Sequence, residues 1–290
     1  WYLEVDRDVS NNAKLRELAA LEKLTTYVSS QPTTRLTSVP PLTVLYADNH
    51  LLVIDKPAGI ATMGSPQDTL TIARQAALYL QQKYNKPGQA FIGVVSRLDR
   101  LVSGVLVLAR TSKAASRISE QLRQQRVEKL YIAIVEGRLQ ASSDSPAWRE
   151  VVDWVAKDES AQRMRVVDES HPQAQVARLR LLPLASSGEK TLVKIELLTG
   201  RKHQIRLQLA EQGTPVWGDV KYGARSRFIA PHGARGIRGS STLSEGIALH
   251  CQQLSLTHPT LKQSMVFESS PLTHWQQVPT EFEKWLESDS

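Results

Sequence analysis

Apolar and polar positions along the chain alternate between two periods, and the periods define its elements. Leu15, Leu18, Leu21, Leu24 and Val28 recur at spacings of three and four, which predicts an amphipathic helix over Asn12–Ser29, with Asn11 or Asn12 as its cap. A polar stretch with three prolines, Ser29 to Pro41, follows and reads as an extended linker. Residues 1–41 are therefore expected to form a helical extension and residues 42–290 the main domain.

The main domain opens on expected strands Thr43–Tyr46 and Leu51–Asp55, the second stopped by Pro57-Ala58-Gly59. Helical spacing of Leu70, Ile72, Ala73, Ala76, Ala77 and Leu80 predicts a helix over Thr69–Tyr84. Phe91–Val95 is an apolar run, and Val105–Ala109 reads as a buried strand. A helix is expected over Ser112–Gln125 and a strand over Leu130–Val135. Val151–Val155 and Met164–Val167 suggest a hairpin in a polar region, and Gln175–Leu182 with Leu192–Leu198 alternate as a strand pair. A helix at His203–Glu211 follows, with Thr199-Gly200 expected to bend the chain into it. Ser226–Gly246, rich in Gly, Ser and Arg, reads as a mobile basic loop. Strands Leu249–Leu256 and Ser264–Phe267 and a helix Thr280–Glu287 complete the pattern. Many short strands with few helices imply an α+β fold around a mixed, largely antiparallel sheet.

Charge then narrows the field. The formal charge is +7, and arginines cluster as Arg97, Arg100 and Arg110, as Arg117, Arg123 and Arg126, and as Arg201 and Arg206. That distribution suits a groove that tracks phosphates. The single cysteine, Cys251, excludes an intrachain disulfide and a multi-cysteine metal site, and in a mixed apolar strand it reads as a small core residue. No apolar run reaches the roughly 20 residues that span a bilayer as a helix. A reducing, cytoplasmic setting is expected, or an organellar one if a targeting segment was trimmed ahead of Trp1.

Two segments carry the chemistry. Ser96-Arg97-Leu98-Asp99-Arg100-Leu101-Val102-Ser103-Gly104 sets one carboxylate, Asp99, on a loop ahead of a buried strand, between two arginines. An acid so placed is suited to act in its charged form, as nucleophile or electrostatic anchor. Leu198-Thr199-Gly200-Arg201-Lys202-His203-Gln204-Ile205-Arg206 ends a strand and opens a helix. Together they resemble the RluA family of RNA pseudouridine synthases. Its motifs read His-Arg-Leu-Asp-x-x-Thr-Ser-Gly and Thr-Gly-Arg-x-His-Gln-(Ile/Leu)-Arg. Tyr46 to Gly59, Lys129 to Ala133, Gly218 to Gly223 and Ala248 to Cys251 extend the likeness in family order. The chain departs at Ser96, where the family usually has His, and at Val102, where it usually has Thr.

The resemblance implies a bisected sheet with an RNA cleft across its middle and an isomerase without metal or organic cofactor. It would act as a monomer on uridines of ribosomal or transfer RNA, away from membranes. It assigns Asp99 as the required aspartate, Arg206 as its partner and Tyr131 as the residue that stacks on the target base. Arg97, Arg100, Arg201 and His203 would contact RNA, His203 also organising the start of its helix. Two other readings compete. One is a catalytically silent RNA-binding homologue acting in ribosome assembly. The other is a glycosidic hydrolase, which needs a second carboxylate. Asp219 is the nominee, although Gly218-Asp219 matches a structural turn of the family.

Overall fold

A computed structural model describes residues 41–64, 70–85, 87–139, 147–231 and 243–287. The expected N-terminal helix lies outside them. The strands are β1 (Val44–Ala47), β2 (Leu51–Lys56), β3 (Ser103–Ala109), β4 (Glu128–Glu136), β5 (Arg149–Asp158), β6 (Arg163–Val167), β7 (Gln175–Ser187), β8 (Lys190–Leu197), β9 (Phe228–Pro231), β10 (Leu243–Gly246), β11 (Leu249–Thr257) and β12 (Ser264–Glu268). The helices are α1 (Ile72–Lys83), α2 (Ser112–Arg123), α3 (Gln204–Glu211) and α4 (Thr280–Glu287). Ten strands form one sheet in the order β1-β2-β3-β11-β4-β8-β7-β5-β6, with β12 also beside β11. Its strand pairings are antiparallel except that of β3 with β11.

The β3–β11 joint divides the sheet. It holds only His250 opposite Ser103 and Cys251 opposite Gly104. From Gln253 to Thr257 the edge of β11 pairs with β12 instead. Gly104 has φ +111°, and a Cβ there would lie 2.2 Å from the Cys251 carbonyl oxygen. Only glycine allows the backbones to come this close.

Around β2 and β3 both faces of the sheet are covered, and these strands are buried at every position, whereas β7 and β5 at the far end keep exposed residues. The period-two rule sorts β4. Tyr131, Ala133 and Val135 join the core that includes Ile72 and Leu80 of α1 and Ile118 of α2. Ile132 and Ile134 turn to the opposite core, with Phe228, Trp275 and Phe282 and Leu286 of α4. α1 and α2 start on threonine caps, where the Thr71 hydroxyl accepts from the Arg74 N–H and that of Thr111 from the Ala114 N–H.

The apolar run Phe91–Val95 makes a single bridge to β3, Gly93 to Ala109. Two expectations need correction. The ends of the expected loop Ser226–Gly246 close into a hairpin, β9 with β10, anchored by buried Phe228 and Ala230. Residues 232–242 lie outside the described set. Gly200 does not supply the sharp bend: it has no positive φ, and His203 takes the left-handed conformation instead, at φ 53°.

Candidate active site

The Asp99 loop is held from below by the segment that leaves β2. Buried Lys56 donates through Nζ to the carbonyls of Pro57 (2.8 Å) and Val102 (2.7 Å) and reaches that of Arg100 at 3.4 Å. The Gly59 N–H donates to the same Arg100 carbonyl at 2.7 Å. The Thr62 hydroxyl donates to the Leu98 carbonyl (2.8 Å) and accepts from the Leu98 N–H (3.2 Å), standing in for a ladder partner. Thus residues 98, 100 and 102, on both sides of Asp99, are all tied down. Burial pulls the Lys56 ammonium down to about 7, against the charge of Asp99 and together with that of Arg100.

The second motif supplies the opposing wall. Its turn is organised by Gln204, whose side-chain oxygen accepts from the Thr199 hydroxyl (2.8 Å) and the Arg201 N–H (3.0 Å). Its amide donates to the Arg178 carbonyl and to Gln208, each at 3.0 Å. All residues from Gln204 to Leu209 are buried, so α3 runs through the interior rather than over the surface. That course carries Arg206 to Asp99. Arg206 Nη1 donates to Asp99 Oδ2 at 3.1 Å, across 107 positions of sequence.

The rest of the Arg206 fork belongs to Asp219. Nε donates to its Oδ2 at 2.6 Å and Nη2 to its Oδ1 at 2.8 Å, and the Asp219 side chain is only 1% exposed. Tyr222 lies under the guanidinium, 5.1 Å from ring centre to Cζ. Burial opposes the charge of Arg206, but the bonds and charge of Asp219, then those of Asp99, prevail and hold it above the ordinary guanidinium range. Asp219, considered from the sequence only as a hydrolase's second carboxylate and set against a structural turn of the family, instead grips Arg206, and Tyr222, given no role from the sequence, lies beneath it.

A cleft of about 780 Å³ opens between these walls, lined among others by Arg97, Asp99, Tyr131, Arg201, His203 and Arg206. That size suits a nucleotide-scale ligand. Asp99 keeps 29% of its side chain exposed to the cleft. Tyr131 is nearly enclosed. Burial raises its phenol well above the ordinary range, and its contact with Cys251 and the charge of Asp99 act in the same direction. Arg97 and Arg100 are exposed beside the carboxylate, though only Arg97 lines the cleft. Arg201 is half-buried, its Nε bonded to the Val176 carbonyl at 2.9 Å. His203 faces inward at 13% side-chain exposure, with Nδ1 2.9 Å from the Tyr222 hydroxyl and Nε2 3.7 Å from Asp99 Oδ2. Both departures from the family motif, Ser96 and Val102, also line the cleft. Among the described residues, no group of three His, Cys, Asp or Glu is placed to hold a metal ion.

These features coincide with a match to the family model described as RNA pseudouridylate synthase, over residues 50–211. The chain belongs to this family, of the RluA type. Among its relatives, ribosomal large subunit pseudouridine synthase D of Nitrosomonas europaea is 34% identical over 231 residues, 79% of this chain and 62% of that protein. The tRNA pseudouridine synthase C of Salmonella typhi is 32% identical over 83% of this chain and 90% of that protein. The chain thus spans about three-fifths of the length of the synthase D relatives of Nitrosomonas europaea and Xanthomonas campestris. Human RNA Pseudouridylate Synthase Domain Containing 4 shares the fold, with TM-score 0.59 at 22% identity over 94% of this chain and 97% of that one.

Proposed function

We propose that this chain isomerises uridine to pseudouridine in structured RNA, with Asp99 as the acting carboxylate and without a cofactor. The observation that carries the reading is the Arg206–Asp99 contact at 3.1 Å in a cleft walled by Tyr131. The reaction breaks the bond from N1 to the sugar C1′ and forms one from C5 to C1′. The C5 hydrogen leaves as a proton, N1 takes one up, and nothing is oxidised or reduced. Arg206 holds one oxygen of Asp99, and the exposed remainder of the carboxylate faces the space a swung-out nucleotide would occupy. Tyr131, kept protonated by burial, serves as a stacking floor and proton donor rather than as a phenolate base. Turning a base out of its stack costs a few kcal/mol, and cations at the cleft, Arg97 and Arg201 among them, offset it through phosphate contacts. The relatives' names include enzymes of ribosomal and of transfer RNA. Both RNA classes are therefore the substrates to test.

The test is release of tritium from RNA labelled at uridine C5. The expected result is release by the native chain that vanishes in Asp99→Asn, with RNA binding retained. Binding without release on any cellular RNA pool would instead identify a silent assembly factor. Liberation of free uracil would identify a hydrolase.

A further inference from the structure

His203, expected to contact RNA and to organise the start of its helix, also has partners that bear on Asp99. Its Nδ1 is 2.9 Å from the Tyr222 hydroxyl. That hydroxyl already accepts the buried Met164 N–H at 3.1 Å, from β6 of the outer hairpin. A phenol has one proton to give. If His203 Nδ1 carried the ring proton, Tyr222 would accept twice. Its own proton would then point at no recorded partner among the described residues, although Tyr222 is buried. If Nδ1 is bare, all three groups are satisfied: Met164 N–H donates to Tyr222, and Tyr222 donates to His203.

The opposite side of the ring leads to the same assignment. Nε2 is 3.7 Å from Asp99 Oδ2, the oxygen that also receives Arg206 Nη1. A bare Nε2 would set a lone pair against a carboxylate oxygen, whereas an N–H there is attracted to it. At 3.7 Å this is an electrostatic approach rather than a full hydrogen bond.

We infer that His203 is a positioning residue that carries its proton on Nε2. Tyr222 fixes this tautomer, and the N–H is aimed at Asp99 Oδ2 so that Oδ1 is left as the free oxygen facing the cleft. The imidazole is neutral in this role. Burial pulls it down to about 4 despite Asp99, and Arg206, Lys202 and Lys221 act in the same direction as burial. The outer hairpin thereby reaches the reaction centre through one backbone N–H, and Lys221 Nζ donating to the Gln162 carbonyl at 2.6 Å closes the same junction. The inference rests on the proposed function for its effect on rate but not for the tautomer itself.

Two measurements on the full chain test it. Imidazole ¹⁵N spectra, with His203 assigned by the signal lost in His203→Gln, are expected to show Nε2 protonated and Nδ1 bare. Tyr222→Phe, which keeps the ring under Arg206, is expected to mix the tautomers. It should lower kcat at unchanged KM by the fraction of molecules that lose the Nε2 proton, about twofold for an even mixture. His203→Gln, which can still offer an N–H, should keep more activity than His203→Leu. A protonated Nδ1 in the native chain overturns the inference. So does a Tyr222→Phe variant whose tautomer is unchanged. If the native chain releases no tritium, the proposed function fails while the spectra still decide the tautomer.

Discussion

Arg206 holds two carboxylates, and their burial predicts opposite consequences for removing each charge. Asp219 takes two of the three bonds, at 2.6 and 2.8 Å, and its side chain is 1% exposed. In Asp219→Asn one oxygen becomes an amide that must face an Arg206 N–H, donor against donor. The guanidinium also loses the buried charge that compensates it. Breaking one side of a buried pair costs about 3–5 kcal/mol, a large share of the roughly 5–15 kcal/mol that holds a typical domain together. Asp99 takes one bond, at 3.1 Å, and is 29% exposed. Screening by solvent limits the stability effect of Asp99→Asn to about 1 kcal/mol or less. The kinetics should run the other way. Asp99→Asn abolishes tritium release, whereas Asp219→Asn retains activity reduced at least about tenfold, because the fork that aims Arg206 is half gone. Urea unfolding of the two variants, with tritium release measured on the folded protein, checks both halves. Equal stability losses, or a loss below about 1 kcal/mol for Asp219→Asn, would refute the assignment of Asp219 as the anchor of the guanidinium.

Three further outcomes follow from the same geometry. Gly104→Ala should cost at least about 3 kcal/mol or prevent folding, since its Cβ would meet the Cys251 carbonyl at 2.2 Å and its φ is +111°; a soluble variant with unchanged urea midpoint would contradict the close approach of β3 and β11. Lys56, pulled down to about 7, binds fewer protons folded than unfolded between there and its ordinary 10.5. Its contribution therefore becomes more favourable as pH rises through that window, by up to about 1.4 kcal/mol per unit; comparing urea midpoints of the native chain and Lys56→Met at pH 7 and 9 should show a difference that changes with pH in that direction. Burial pulls His250 down to about 3, helped by His274, so stability is lost as pH falls from about 6.5 toward that value; His250→Gln should flatten the acid limb of the unfolding curve, and an unaltered limb would count against a neutral, buried imidazole.

The parts of the fold that periodicity revealed are those where one element decides its own burial. β2 and β3 are apolar runs covered on both faces, and α1 and α2 display their inner faces and threonine caps directly. What stayed hidden depends on partners far along the chain. The β9–β10 hairpin was obscured by a Gly, Ser and Arg composition, and its anchors, Phe228 and Ala230, are meaningful only against Trp217, Trp275 and Gly246. Lys56 ends a strand, where a charged residue ordinarily reaches water; here its ammonium is enclosed by carbonyls of a loop 44 to 46 positions away. The pairing of Asp99 with Arg206 was accessible only through family resemblance, since no local pattern reports a contact 107 positions apart.

The polar interior of α3 shows why the site resists local reading. A helix that buries Gln204, Arg206 and Gln208 contradicts its own composition unless every polar group finds a partner. Each does: Gln204 closes the turn before the helix, Gln208 donates to Asp153 at 2.7 Å, and Arg206 is gripped by Asp219. Their bonds run to the turn before the helix, to β5, to β7 and to the Asp219 turn, so α3 cannot shift without breaking several at once. A helix secured in that way delivers the third arm of its guanidinium to a loop that Lys56, Gly59 and Thr62 immobilise from the other half of the divided sheet. The two halves thus bring two rigid bodies together so that Arg206 occupies one oxygen of Asp99 while 29% of that side chain stays exposed, the arrangement that the proposed isomerisation would use.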